Sequence, residues 1–580
     1  MPGKTPGFLF PRRLTPSLLS LGLNLPLVLS GLQFYSFDAY THIFFADHYR
    51  RWWFALFEPR WFGGFSVASY PPLVHQLVAL LSFPASAVAS LLGGAPNEIR
   101  YRGEAIGYSL LLLIVLAWLP VAARRFAAIF VPTRAARTAG WLAVGLPSIY
   151  LTAYSFGQLP TLAASTTLMW ALAEGWQYCR TGRRRDLLSA VLWAGVTAAA
   201  HHAVLLFALT AGAAVVGRGR LGRVVRLAIW AASAAAFGAI VIWPFVVWSQ
   251  SYVPQTPIDH ISRHNYFTDW LASYYFFWPM YGPVLLALPL SLVSLFPLRR
   301  KRRHWPLFGA VLLLFTLGLG GTTPLPRLLF GANWAWLTYD RFSLWAGLTL
   351  LPFAGLLWEL YRRQFYREGA KGAKKYKRRN LALFTSSRLI FVFFCVYAAF
   401  AARWVNAQPP ARDLETIARF LDDPQRVTDR YLTFGFGDQL AKLSVLTDAT
   451  TMDGTYFTAR AIPELQHSGL GTLDGVIWNP AGVDGIAPFL DQAGEWGVRW
   501  AFTANVLYVG PLARAGWHYE GEIVPGVLVW RNPARALSPS PVGVAPTGEG
   551  RGGGTAVWWG VMPLLTLALA LLVAITNRSR

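Results

Sequence analysis

The sequence predicts a mostly α-helical, polytopic transmembrane bundle with a C-terminal extracytoplasmic α/β domain and a final transmembrane helix. Three observations lead there. Hydrophobic residues fill 54% of the 580 positions, too many for a soluble chain of this size. They fall in separate runs of about 17–25 residues, the length that matches a hydrocarbon core of ~30 Å. The net charge of +24 sits in short Lys/Arg clusters between those runs, which is how cytoplasmic loops are marked. With no basic or aromatic RNA-binding motif, this distribution argues against a nucleic-acid partner and for membrane lipids. Cys179 and Cys395 lie in or near apolar runs and support neither a disulfide framework nor a metal cluster.

Arg12 and Arg13 precede the first span, about 15–35, and place the N-terminus in the cytoplasm. No cleavable leader is read, because this run lacks a small-residue cleavage site. The loop 36–71 then lies outside. Residues 72–92 are apolar but carry Pro84, small residues and His75, and read as a helix at the outer surface or a re-entrant element. Spans at about 100–123, 138–156 and 161–180 are oriented by Arg124, Arg125, Arg134, Arg137, Arg180 and Arg183 to Arg185. The stretch 187–216 has basic clusters at both ends and reads as a hairpin of two short spans, with His201-His202 at the outer turn. Spans at 227–248, 271–297, 305–320, 342–360, 385–404 and 556–575 bring the total to about twelve, with both termini inside. Arg299 to Arg303 and a basic segment, 361–380, anchor the inner side, the latter on anionic lipid.

Three domains follow: 1–405 in the membrane, 406–550 outside it, and 551–580 as the last transmembrane helix. Strand-like pieces recur in the second, at Arg430 to Gly435, Ser444 to Thr447, Gly475 to Trp478, Val498 to Thr503 and Gly526 to Trp530. Amphipathic helices fit 411–422 and 487–496. A Pro/Gly/Ser-rich linker, 533–554, precedes the last span.

Chemistry is expected on the outer side. The first loop carries Asp38, His42, Asp47 and His48 among aromatic residues, and Asp38 and His42 would share one helical face. The Gly157-Gln158 turn, His201-His202, the loop with Asp259, His260 and His264, and the stretch from Thr322 through Arg327 to Asp340-Arg341 fall on the same side. Arginine and histidine suit a phosphate, and a carboxylate can deprotonate a hydroxyl. Each residue also has a plainer reading: interfacial caps, a buried histidine pair, a local ion pair, and a loop cluster only loosely spaced like metal ligands. Trp52, Trp53, Trp61 and Tyr70 suit either an interfacial belt or a surface that stacks on a sugar.

The first loop, with Asp38 and His42 followed by Pro59-x-Trp61 and Tyr70-Pro71-Pro72, resembles the GT-C superfamily of polytopic glycosyltransferases. The order of Gly157-Gln158-Leu159-Pro160, His201-His202, Thr322-Thr323-Pro324 and Asp340-Arg341-Phe342 resembles, more closely, the bacterial membrane proteins labelled 6-pyruvoyl-tetrahydropterin synthase-related. That label implies no pterin chemistry here. The resemblance covers about 15–360 and, more loosely, the outer domain.

What the resemblance implies is sugar transfer from a polyprenyl-phosphate donor to a glycan, lipid or protein acceptor on the outer face of the inner membrane. Asp38 would be the general base and attack would invert the sugar carbon. His42, Asp47, His48, Gln158, His201, His202, His260, His264, Arg327, Asp340 and Arg341 are the expected substrate-binding residues. The family leaves room for a divalent cation, Mg or Mn. Gln158, where many GT-C enzymes carry an acid, argues against a metal-bound mechanism, and no metal ligand is assigned. Two other classes stay open: a transporter or flippase of lipid-linked sugars, and a non-catalytic scaffold. Transporters usually show internal repeats and polar midplane spans, whereas here the charges line one rim.

Overall fold

The computed structural model describes residues 16–216, 221–281, 305–369, 391–426, 428–534 and 553–578. The expected anchors Arg12, Arg13 and Arg299 to Arg303, most of the 361–380 segment, most of the 533–554 linker and parts of the 271–297 and 385–404 spans lie outside them.

Six helical stretches among the described residues are long and apolar enough to cross a membrane: Leu73–Leu92, Pro96–Ala127, Arg184–Val216, Leu221–Val241, Asp340–Arg362 and Gly554–Asn577. Shorter apolar helices are Pro16–Leu29 (α1), Trp305–Leu317 and Phe391–Ala401. The chain is thus a mostly helical, multi-pass membrane protein.

Helix α2, Ala39–Trp52, occupies the loop that follows α1. A two-stranded antiparallel ribbon, β1 (Phe57–Glu58) and β2 (Phe65–Ser66), packs behind it. Helix α3, Leu73–Ala89, then runs along the first half of α4, Pro96–Ala127. Glycines allow that close approach. A Cβ on Gly103 would fall 1.9 Å from Ser86 Oγ, and one on Gly107 would fall 2.8 Å from the Val78 carbonyl. Pro84 is accommodated inside α3, which a membrane helix tolerates when neighbours meet the freed backbone groups.

Helix α5, Thr133–Ala143, is followed by a short helix, Pro147–Tyr150, and a π-helical turn, Leu151–Ser155. Next come α6, Leu159–Thr181, and α7, Arg184–His201. At His201 the backbone is extended (φ −168°, ψ 102°), which breaks the helix before a 3-10 turn, His202–Ala208, and α8, Leu209–Val216. Arg226, near the start of α9 (Leu221–Val241), donates to the carbonyls of Cys179 and Arg180. The stretch therefore leaves one corner and returns towards it, with the histidine pair at its far end. Helix α10 is Asp340–Gly369, and its first residues face that pair.

Residues 414–531 build a four-stranded mixed sheet in the order β3-β4-β6-β5. Its strands are β3 (Arg430–Phe434), β4 (Val498–Thr503), β5 (His518–Val524) and β6 (Val527–Arg531), with β3 and β4 parallel and the rest antiparallel. Two expected strands are corrected. Residues 444–446 belong to the last turn of helix α11, Gln439–Leu446. Val476–Trp478 is a 3-10 turn closed by the Trp478 N–H on the Gly475 carbonyl. Strand β5, pinned only along one side by β6, was not expected. Helix α12, Gly554–Arg578, returns to α2 and α3: Trp53 and Gln76 both donate to the Gly560 carbonyl.

Candidate functional site

Residues 35–38 are held by hydrogen bonds to their backbone from two directions. The Phe37 and Asp38 N–H groups donate to the carbonyls of Ser155 (3.1 Å) and Phe156 (3.2 Å) at the end of the π-helical turn. Gly157 follows with φ +71°, and a Cβ there would stand 2.8 Å from the Ala39 nitrogen and 3.0 Å from that of Asp38. Only glycine fits both the left-handed backbone and that approach. From the sheet-bearing segment, Ala407 N–H donates to the Tyr35 carbonyl (2.9 Å) and Gln408 Nε2 to that of Ser36 (2.6 Å).

Helix α2 sorts its polar residues by angle. At 100° per residue, His42 lies about 40° round from Asp38 and Asp47 about 180° round. The first face meets α3, α7 and α10. His42 Nδ1 lies 3.1 Å from His75 Nε2. The Tyr70 ring packs 6.0 Å from His42 and edge-on at 5.8 Å to His201, whose ring is 5.9 Å from that of His202. The charge of Arg341 reaches Asp38, His42, Tyr70, His201, His202 and His260, so one guanidinium serves the whole cluster.

Half-buried Asp38 loses water around its carboxyl, which pushes its pKa up to about 7; Arg341 pulls it down and Asp340 pushes it up by less. Burial, then Arg341, drives His42 down to about 3, so that ring stays neutral. Burial, Arg263 and Arg341 drive His260 down to about 3. Gln158 Nε2 donates to Asp340 Oδ2 at 3.0 Å. Several buried atoms around these groups have no hydrogen-bond partner: Gln158 Oε1, Asp340 Oδ1, Arg341 Nε, His201 Nδ1 and His202 Nδ1. Buried polar atoms are rarely left so. Here five of them lie round one cation.

Four expected site residues stand elsewhere. Asp47 is buried on the opposite face of α2, bonded to Arg51 and Arg100 at 2.8 Å each and to Arg60. Burial alone would raise its pKa, but Arg60, Arg51 and Arg100 hold it well below the carboxylate range. His48 is fixed between Glu58 (3.0 Å) and the Ala55 carbonyl (2.9 Å). His264 sits between Asp259 (2.9 Å) and Asp269 (2.5 Å), whose carboxylates outweigh its desolvation and raise its pKa. His260 is near the cluster, but its Nδ1 accepts from Ser262 N–H. Arg327 is exposed and stacks 4.4 Å over Trp334. Asp47, His48 and His264 are taken up by nearby ion pairs and hydrogen bonds, and Arg327 lies at the surface. Among the described residues, no group of three or more His, Cys, Asp or Glu is arranged to hold a metal ion.

Sequence reasoning missed Asp438. Its carboxylate accepts from Tyr40 N–H (3.1 Å), Thr41 N–H (3.3 Å) and the Thr41 hydroxyl (2.8 Å), at the start of α2. Burial first, and then Asp38, push its pKa up to about 8. The one signal for it was an Asp before a helical run.

No family model and no curated protein matches this sequence. Solved structures do. The oligosaccharyltransferase of Archaeoglobus fulgidus, tethered to an acceptor peptide containing the NVT sequon, is 11% identical over 87% of this chain and 72% of its own, with a TM-score of 0.51. ArnT from Cupriavidus metallidurans, bound to undecaprenyl phosphate, is 13% identical over 90% of this chain and 99% of its own, with a TM-score of 0.50. Both neighbours are GT-C glycosyltransferases, and the likeness to them is one of fold. The finer resemblance to the 6-pyruvoyl-tetrahydropterin synthase-related proteins still rests only on the residues quoted above.

Proposed function

We propose that this protein is a glycosyltransferase that moves a sugar from a polyprenyl-phosphate donor to a glycan, lipid or protein acceptor. The observation that carries this reading is Arg341: a guanidinium without an ion pair among the described residues, set opposite a carboxyl whose pKa lies near neutrality. The shared fold and the undecaprenyl phosphate bound to ArnT support it.

In this reading the donor phosphate rests on Arg341, with His201 and His202 as further hydrogen-bond groups. Gln158 holds the carboxyl of Asp340, the residue before Arg341. Asp38, unprotonated above about pH 7, takes the proton of the acceptor as it attacks the anomeric carbon. The bond to the phosphate breaks in line, so the sugar carbon inverts. Charge grows on the departing phosphate oxygen, where Arg341 meets it. In this reading residues 36–71 and 406–550 lie on the outer face of the inner membrane, with both termini in the cytoplasm.

The test uses the full chain in proteoliposomes, a panel of undecaprenyl-phosphate sugars, hexoses and pentoses, and hydroxyl-bearing glycans, lipids and peptides as acceptors, read as release of undecaprenyl phosphate. Release from at least one, and its loss in Asp38→Asn, is expected. Undecaprenyl phosphate should also bind, and Arg341→Ala should weaken it. Full release by Asp38→Asn would remove Asp38 as base. Equal binding by Arg341→Ala would remove the phosphate site.

A further inference from the structure

We infer that Asp438, carried by the sheet-bearing segment, is a positioning residue for Asp38. This rests on the reading of Asp38 as the base. Asp38 stands at the N-terminal boundary of α2, and its own side chain caps no N–H of that helix. Helix starts leave such N–H groups without partners, and a side-chain oxygen normally meets them. Here the oxygens come from almost 400 positions away. Asp438 Oδ2 accepts from Tyr40 and Thr41 N–H, and Oδ1 accepts from the Thr41 hydroxyl, which Thr455 also meets at 2.7 Å.

The carrier of Asp438 is gripped at its other end. At the C-terminus of α11, Arg60 donates to the Ser444 carbonyl (2.8 Å), and Arg51 (2.9 Å) and Arg100 (3.1 Å) donate to that of Val445. Asn97 donates to the Leu446 carbonyl at 2.9 Å. Cations belong at that end of a helix, and Asp47 holds all three arginines together. Helix α11 is therefore a strut. One end is fastened to the buried ion network, and the other fixes the first turn of the helix that presents Asp38. The sheet-bearing segment then completes the site and is not a lid over it.

A cap works through its oxygen acceptor, and Asn replaces Asp well at such a position while Ala does not. The experiment compares Asp438→Ala, Asp438→Asn and Asp38→Asn in the full chain. Amide hydrogen exchange of residues 39–43 is read together with release from whichever undecaprenyl-phosphate sugar the native protein turns over. In Asp438→Ala, exchange at Tyr40 and Thr41 should quicken by about tenfold or more. Its kcat should fall by about 100-fold, the scale of a ~1 Å misplacement, with KM for the donor unchanged. Asp438→Asn should restore both readouts to within about threefold, as an acceptor-preserving cap should. Where Asp438→Ala does not fold, Thr41→Val removes the hydroxyl's bonds to Asp438 and Thr455, leaves both N–H bonds to Asp438, and should quicken exchange by less than Asp438→Ala would, with Thr455→Val as the control for the second bond. Unchanged exchange and kcat in Asp438→Ala, or an Asn variant as impaired as Ala, overturns the inference. Unchanged exchange in Thr41→Val, where that variant stands in, does the same. If Asp38→Asn turns over normally, the base assignment falls, while the exchange result still decides whether Asp438 holds α2.

Discussion

The two faces of α2 carry the same kinds of residue and have opposite fates. On one side, Asp47, Arg51, Arg60, Arg100, Glu58 and His48 meet one another in ion pairs, and the buried Glu104 carboxyl beside Asp47 is left without a hydrogen-bond partner. On the other, Asp38 accepts no side-chain hydrogen bond among the described residues, and Arg341, Asp340, Gln158 and two histidines leave buried atoms without partners. Burial does not separate the two faces; ion pairing does. The charged groups behind α2 pair with one another, and Arg341 forms no ion pair among the described residues.

The comparison is tested most severely by asparagine at each carboxylate. Asp38→Asn should cut turnover by about 10²–10⁴-fold, the usual worth of a general base, and leave thermal unfolding unharmed. Asp47→Asn should do the reverse. Removing one partner from a buried ion network costs about 3–5 kcal/mol, seen as a lower unfolding midpoint, and would loosen the grip on α11. If both variants lose stability and activity alike, the two faces are not distinct.

A smaller effect is expected at Arg341. Its change to Ala breaks no ion pair among the described residues, though it removes the positive charge that faces Asp38, and should cost little stability. It should weaken undecaprenyl phosphate by about 1.5–3 kcal/mol, the worth of hydrogen bonds to a charged group. Isothermal titration or quenching of tryptophan fluorescence would measure it. Gly157→Ala is subtler still. Its positive φ costs an alanine about 1–2 kcal/mol, and the new methyl would press on the Asp38 and Ala39 nitrogens. Lower kcat at nearly constant donor affinity is the expected kinetic signature.

Much of this division was legible in the sequence. The 100° step already puts Asp38 with His42 and Asp47 behind them, although both aspartates were expected at the substrate. Periodicity says which side a residue takes, not whether a partner waits there. The partners of Asp47 are Arg51, legible at four residues' distance, and Arg60 and Arg100, which are not. Gln158, His201-His202 and Asp340-Arg341 converge as their common side suggested. Arg327 does not, because Trp334, seven residues on, offers its ring first. Asp438 was beyond reach, since nothing local in the sheet-bearing segment tells that its loop meets α2.

The smallest effect discriminates by sign. The pKa of Asp38 is raised in the folded protein to about 7, so the native state holds that proton more tightly than the unfolded chain. Its contribution to stability falls as pH rises from about 4 through 7 and then levels. The pKa values of Asp47 and Glu58 are lowered, the latter to about 2, by Arg60 and its neighbours acting against burial. Their contribution is whole above about pH 4 and fades only below it. Measured against the native protein, Asp38→Asn should therefore gain relative stability between pH 4 and 8. Asp47→Asn should show a deficit that is constant over that range and shrinks only in stronger acid. Turnover should follow the first group, rising through about pH 7 as Asp38 loses its proton. An Asp38→Asn curve parallel to the native one across that interval would mean that the carboxyl near Arg341 titrates as an ordinary surface acid. The contrast between the two faces would then rest on pairing alone.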